Sequence, residues 1–320
     1  MRLRAAVSAA FVLCLCAFAP AGEPKHKSEA FSRAFGPKNT VNLARPTLSW
    51  EVWAASGSTV TGASMQLDGS DVDWEFPVSG GKEGNIRRPE DRENFTLLVQ
   101  GLRAALDAAG SAEGKTYLLT IAAGGSPEYV ANTEFAKIAR TVDWIGLMSY
   151  DFAGAWSKTS GHNAPLFADP ANPAPDAARE TVAAAVMRAL RAGVPPGKLL
   201  LGLPLFGHAW RGCDLHNHGE YQQCAGPAKG TSDDGALDYQ DVLTHYLTNQ
   251  SIVRYFNETA KVPFLFNARS REFISYDDAA SFRYKIAFLK QQQLGGATFW
   301  EIGADREGCL LKLVAGEFLR

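Results

Sequence analysis

The sequence predicts an α/β protein in which helices cover a parallel sheet. From about residue 66 onward, strand-like and helix-like segments alternate. The strand segments are apolar throughout rather than alternately apolar and polar, as strands buried on both faces must be. The 320 residues accommodate a single α/β barrel, which commonly takes roughly 250. Hydrophobic residues at 46% and charged residues at 21% describe a globular chain, not a disordered one. With 32 Lys and Arg against 34 Asp and Glu and no long run of either basic residue, the balance argues against a nucleic-acid partner, which needs a basic patch to neutralise phosphates.

Taken in order, Arg2 and Arg4, the apolar run 5–19 and the small residues Ala19-Pro20-Ala21 read as a signal peptide over 1–21. The product is expected to be secreted, soluble and free of any membrane span. Residues 22–65 form a divergent segment, polar and without period between 38 and 61. A strand is expected over 65–76, and Pro89-Glu90-Asp91 opens a helix running to about 110. A buried strand follows at 116–122, a short helix at 132–140, a strand at 142–149, an Ala-rich helix at 177–192 and a strand at 198–205. These make 66–212 the alternating part. Over 213–276 the rhythm breaks into Gly, Asp, Tyr and Asn with short aromatic runs, which reads as an inserted α+β lobe. Residues 277–320 return to a helix at 281–293, a strand at 296–301 and a closing helix from about 309. Cys213 and Cys224 flank a short polar segment and are candidates for a local disulfide in an oxidising compartment, leaving Cys309 as a buried thiol.

The chemistry concentrates in Asp68-Gly69-Ser70-Asp71-Val72-Asp73-Trp74-Glu75-Phe76-Pro77. Residues two apart on a strand share a face, so Asp71, Asp73 and Glu75 project together and Val72 and Trp74 project oppositely. Adjacent carboxylates cannot all ionise cheaply, so at least one is expected to hold its proton above the ordinary range. A raised acid at the C-terminal end of a strand is what protonation of a glycosidic oxygen requires. A calcium loop would need Gly where Phe76 stands and Glu where Lys82 stands, so that reading fails. His216 and His218 lack the partners a zinc site needs.

This strand resembles the Asp-x-x-Asp-x-Asp-x-Glu signature of family 18 glycoside hydrolases. Other segments are similar to that family in the same order: Met148-Ser149-Tyr150-Asp151, Gly161-His162-Asn163-Ala164-Pro165-Leu166, Gly202-Leu203-Pro204, Ile274-Ser275-Tyr276-Asp277-Asp278 and Gly295-Gly296-Ala297-Thr298-Phe299-Trp300-Glu301. The resemblance covers the chain from about residue 67 and implies a (β/α)8 TIM barrel of the secreted bacterial chitinase type with an α+β insertion. Residues 66–212 would then hold barrel strands 4 to 7. Glu75 would be the general acid and then the base for water. Asp73, linked to Asp71, would orient the substrate's 2-acetamido group, which itself attacks in place of an enzyme carboxylate. Tyr150 and Asp151 would bind the acetamide and sugar, and Trp300 would floor the distorted ring. Met148 would pack the site, Trp156 and Trp210 are candidates for sugar stacking, and Asp68 and Gly69 are structural. No metal or organic cofactor is implied. The expected partners are chitin or N-acetylglucosamine oligosaccharides, bound by a monomer.

Two departures stand out. The family's barrel places three βα units ahead of the acidic strand, yet after cleavage near Ala21 only about 45 residues precede Asp68, and one such unit takes roughly 30. A barrel incomplete at its N-terminus is therefore expected, with open edges and one cleft wall missing. In addition, Phe206-Gly207-His208 stands where related chitinases commonly show Tyr-Gly-Arg. The leading expectation is an endo-acting chitinase, better on soluble oligomers than on crystalline chitin. A non-catalytic chitin-binding remnant is the alternative, against which the retained Glu75 argues. A hydrolase of peptidoglycan or N-glycans fits the inserted lobe less well.

Overall fold

Strand β1 (Gly69–Asp73) is the first element in a computed structural model that describes residues 69–231 and 233–318. The leader reading over 1–21, the 22–65 segment and Asp68 lie outside those residues. β1 ends at Asp73, short of the end at 76 expected from the sequence, and beyond it Trp74 packs edge-on against Phe95 at 5.5 Å between ring centroids. Helix α1 (Asp91–Glu113) begins where the Asp91 carboxylate accepts from Arg88 Nε and Asn94 Nδ2, both at 3.1 Å. Its buried Phe95, Val99, Leu102 and Leu106 recur every three or four residues, and left-handed Gly114 ends it.

After β2 (Leu118–Gly124) comes a short helix that the sequence reading does not anticipate, α2 (Pro127–Ala131), and then α3 (Phe135–Thr141), the helix expected over 132–140. Ser126 starts the first, its hydroxyl accepting the Tyr129 N–H at 3.1 Å, with Pro127 in the first turn. β3 (Trp144–Met148) follows, then α4 (Val182–Arg191). α4 starts later than expected because Thr181 caps it, accepting the Ala184 N–H at 3.1 Å, while the residues before Thr181 turn about the Asp176 carbonyl. Apart from short helical turns, the remaining elements are β4 (Leu199–Pro204), β5 (Phe206–Arg211), β6 (Gly226–Pro227), β7 (Ala236–Asp238), β8 (Val253–Asn257), β9 (Val262–Asn267), β10 (Glu272–Ser275), α5 (Ala279–Gln291), β11 (Gly296–Trp300) and α6 (Cys309–Phe318).

The chain divides into two compact units. One joins described residues 69–148 and 187–200. There β1, β2 and β3 are parallel neighbours in that order, with Asp71 opposite Thr120 and Gly124 opposite Met148. Val72, Leu119, Ile121, Ala123, Ile145 and Leu147 are buried to 0%, each large side chain contributing about 1.5–3 kcal/mol of apolar burial. Gly69 is needed for this pairing, because a Cβ there would run into the Leu118 carbonyl.

The other unit joins 149–186 and 201–318. An antiparallel sheet runs β6-β5-β10-β9-β8, with β7 also paired to β5. The lobe therefore starts at Phe206, ahead of the 213 boundary read from the sequence. β5 is apolar like the parallel strands, and its antiparallel partner β10 is too distant in sequence for any local period to reveal. Trp210, Cys213, Phe264, Phe266 and Phe273 form the lobe's core, and Cys213 and Cys224 are joined in a disulfide. Beside it, Asp278 caps α5, and Lys285 on that helix reaches both oxygens of Asp277, at 2.6 and 2.7 Å. α6 is capped by the Asp305 carboxylate, which accepts from the N–H groups of Cys309, Leu310 and Leu311 at 2.8 to 3.0 Å. Cys309, expected to be buried, is exposed, because Leu310 and Val314 take the inward face of the helix.

Candidate active site

The acidic row belongs to the first unit. β1 alternates buried Ser70 and Val72 with half-buried Asp71 and Asp73, so the pleat sets the carboxylates on one face. The parallel register brings Thr120 of β2 opposite Asp71, and the Thr120 hydroxyl donates a short hydrogen bond to Asp71 Oδ1. Past the strand's end the chain is held by its backbone: the Glu75 carbonyl accepts from Asn85 Nδ2 at 2.9 Å, and the Glu75–Phe76 peptide is cis. Gly81, at φ 69°, passes so close to that carbonyl that no side chain fits there. Phe76 packs edge-on against Tyr129 at 5.6 Å, and Tyr129 against Phe135 at 5.7 Å. Burial, with the negative charges of Asp73 and Glu75 adding to it, pushes the Tyr129 phenol well above its ordinary range. A neutral, buried phenol thus lies in the field of the two carboxylates. Met148 ends β3, half-buried, opposite Gly124.

The second unit carries the other predicted site residues. Tyr150 packs edge-on against Phe206 at 5.6 Å. Asp151 has a left-handed backbone at φ 61°. Asn163 secures it, since its Oδ1 accepts the Asp151 N–H at 2.8 Å, its Nδ2 donates to the Phe206 carbonyl at 3.2 Å and its own N–H donates to Ser275 Oγ at 2.8 Å. The Asp151 carboxylate meets His208 Nε2 at 2.7 Å. Trp156 is 66% exposed and lies edge-on to the His208 ring at 5.4 Å. Trp210 is a correction to the sequence reading: it is 0% exposed, its indole N–H donates to the Ser157 carbonyl at 3.0 Å, and it belongs to the lobe's core rather than to any stacking surface. Trp300 ends β11 half-buried, its carbonyl accepting the Leu205 N–H at 2.6 Å, and the Trp300–Glu301 peptide is cis. Burial and the nearby charge of Asp238 raise the Glu301 carboxyl.

Residues that sequence reasoning passed over are those whose role depends on pairing. Thr120 was read as part of a buried strand, and only the register shows it bonding Asp71. Tyr129 and Asn85 carry no motif. Asn163 was noted for resemblance but not as the residue holding Asp151. A pocket of about 230 Å³ in the second unit, lined by Phe152, Ser157, His162, Asp169 and Tyr221 among others, includes none of the predicted site residues. Among the described residues no group of His, Cys, Asp and Glu is arranged to hold a metal, and no helix is long and apolar enough to cross a membrane.

Comparison with known proteins places this geometry. A model described as Glycosyl hydrolases family 18 matches residues 43–305. The match reaches upstream of residue 67, so part of the 22–65 segment, read from the sequence as unlike the family, falls within its pattern. Chitinase A1 of Niallia circulans is 53% identical over 76% of this chain and 36% of its own length. Among solved structures, chitinase ChiA74 from Bacillus thuringiensis superposes with a TM-score of 0.71 at 45% identity, over 74% of this chain and 40% of that one. A family 18 N-acetylglucosaminidase from Paenibacillus barengoltzii superposes with a TM-score of 0.72 at 37% identity, over 79% and 71%. The chain thus spans about a third of the length of the curated Niallia relative.

Proposed function

The chain belongs to glycosyl hydrolase family 18, and from that premise we propose that it cleaves β-1,4 links between N-acetylglucosamine units of chitin, with retention at the anomeric carbon. The observation that carries this reading is the acidic row: Asp71 anchored by Thr120, Asp73 beside it, and Glu75 just past the strand's C-terminal end. Glu75 donates its proton to the glycosidic oxygen as the bond to the anomeric carbon breaks. The carbonyl oxygen of the substrate's own 2-acetamido group attacks that carbon and forms an oxazolinium ion, while Asp73 accepts the acetamide N–H and spreads the developing positive charge. Water then opens the ring, giving its proton to the Glu75 carboxylate and restoring the acid. By the family resemblance we assign Tyr150 and Asp151 to the acetamide and sugar, Trp300 to the floor beneath the sugar and Trp156 to stacking. Exposure of Trp156 supports the last assignment. The N-terminal leader reading supports export.

The test is cleavage of a soluble N-acetylglucosamine tetramer by the wild type and by Glu75→Gln. Wild type releases shorter oligomers whose fresh reducing end is the β-anomer, and Glu75→Gln lowers kcat by about 10²–10⁴-fold with binding retained. Binding by both proteins with cleavage by neither would leave a chitin-binding protein built on the same fold.

A further inference from the structure

The exposed indole of Trp156 is carried on the loop 152–163 and is fixed from two sides. On the near side, the Phe152 N–H donates to the Asn163 carbonyl at 3.0 Å and closes the loop, and the Ser157 N–H turns back to the Gly154 carbonyl at 2.9 Å. The indole lies so close over Gly154 that a Cβ there would come within 2.4 to 2.8 Å of three ring atoms. On the far side, the chain from Ser157 to Ser160 is fastened to a second segment, 213–224. The Cys224 N–H donates to the Lys158 carbonyl and the Ser160 N–H to the Gln222 carbonyl, both at 2.9 Å. Gln223 Nε2 donates to Thr159 Oγ1 at 3.0 Å. The buried Ser160 hydroxyl accepts the Gln222 N–H at 2.9 Å and donates to the Gly219 carbonyl.

That second segment has little regular structure of its own. Asn217, His218 and Tyr221 have left-handed backbones at φ 46°, 54° and 58°, which residues other than glycine adopt at a cost. Its two ends are joined by the Cys213–Cys224 disulfide. Cys213 belongs to the lobe's core, where its N–H donates to the Arg271 carbonyl at 2.9 Å and its carbonyl accepts from Arg271 Nε at 2.7 Å. The path from buried core to exposed ring is therefore short: Cys213, the bridge, Cys224, one hydrogen bond to Lys158, and two residues back to Trp156. All of it lies within the second unit, and it shares no residue with the acidic row.

We propose that the disulfide-closed segment 213–224 is the positioning element for Trp156, holding the indole ready to stack on a sugar. This rests on the reading of Trp156 as a stacking residue. Once the bridge is opened, the segment and the 157–160 stretch fastened to it move together, and the ring must be ordered again at the expense of binding. The experiment measures by calorimetry the affinity of the soluble N-acetylglucosamine tetramer for Glu75→Gln and for that protein with Trp156→Ala, with Cys213→Ala and Cys224→Ala together, with Ser160→Ala, and with each of the last two added to Trp156→Ala. Trp156→Ala weakens binding about tenfold. Opening the bridge, or Ser160→Ala, weakens it about threefold or more while Trp156 is present and has no further effect once Trp156 is replaced. In the protein with Glu75 intact, the same replacements raise KM and leave kcat within about twofold. Unchanged affinity, or losses that simply add to that of Trp156→Ala, overturn the proposal; a bridge that serves stability alone lowers Tm without this coupling. Should the protein without its bridge fail to fold, Ser160→Ala, which keeps the bridge, decides. If Glu75→Gln does not bind the tetramer, or Trp156→Ala binds it as tightly, the stacking reading fails and the proposal with it. If wild type cleaves nothing, the proposed hydrolysis fails, and the calorimetric coupling decides the role of the segment separately.

Discussion

Two sets of carboxylates in this molecule are built on opposite principles. Asp277 is only 2% exposed, and both its oxygens are taken by Lys285, itself 0% exposed. Asp71 and Asp73 stand half-buried on one face of β1, with a neutral hydroxyl from Thr120 on the first, and half-buried Glu75 follows just past the strand's end. A buried charge with a matched partner is locked in one ionisation state and serves architecture. Crowded, partly hydrated carboxylates can pass a proton among themselves and to a ligand, which is what acid–base chemistry needs. Burial alone therefore does not mark a functional carboxylate; the sign of its neighbours does.

That contrast can be broken from either side. Glu75→Gln should abolish turnover while leaving the melting temperature nearly unchanged, since it removes one of several repelling acids. Lys285→Met should do the reverse, costing about 3–5 kcal/mol by leaving Asp277 buried and uncompensated, whereas Lys285→Met with Asp277→Leu should recover most of that loss. Denaturant melts of the two variants check this, and an equal loss in both would mean that the pair does not act as a unit.

The tryptophans sharpen the comparison within the lobe. Trp210→Ala should cost about 3–5 kcal/mol of stability, because it empties the centre of the lobe's core. Trp156→Ala, at an exposed position, should stay within about 0.5 kcal/mol on unfolding and instead raise KM for the tetramer. Reversal of these two results would invert the assignment of core and stacking residue.

A smaller effect is expected at Asp169. Burial works against its charge, but hydrogen bonds from Asn257, the Ala171 N–H and Tyr221 hold the carboxyl below its ordinary range. A depressed folded value means that the stabilisation is complete above the unfolded value and is lost as pH falls through the folded one. Asn257→Ala should therefore cost about 1 kcal/mol at neutral pH and progressively less as pH drops below about 4. A cost that does not change with pH would show that Asn257 does not act through the charge of Asp169.

Much of the fold and of the acidic half of the site was legible from local patterns. Period two placed Asp71 and Asp73 on one face of β1, apolar strands announced the parallel β1–β3 pairing, and Pro89 with Asp91 marked the start of α1. Where the reading slipped at the lobe boundary and at Trp210, a nonlocal partner was responsible, whereas at α4 it was a local cap. The α4 start moved to a Thr cap, the lobe boundary moved to β5 because its partner β10 lies far along the chain, and Trp210 proved to be core because Phe264, Phe266 and Phe273 surround it.

By itself, then, the sequence determined the alternation of elements, the shared face of Asp71 and Asp73, and the availability of Cys213 and Cys224 to pair, because these follow from backbone period and short-range reach. Only the tertiary structure decided that Thr120 bonds Asp71, that Tyr129 lies in the field of Asp73 and Glu75, and that His208 holds Asp151. Those contacts join residues far apart in the chain, and their existence depends on register and packing, which no local pattern encodes.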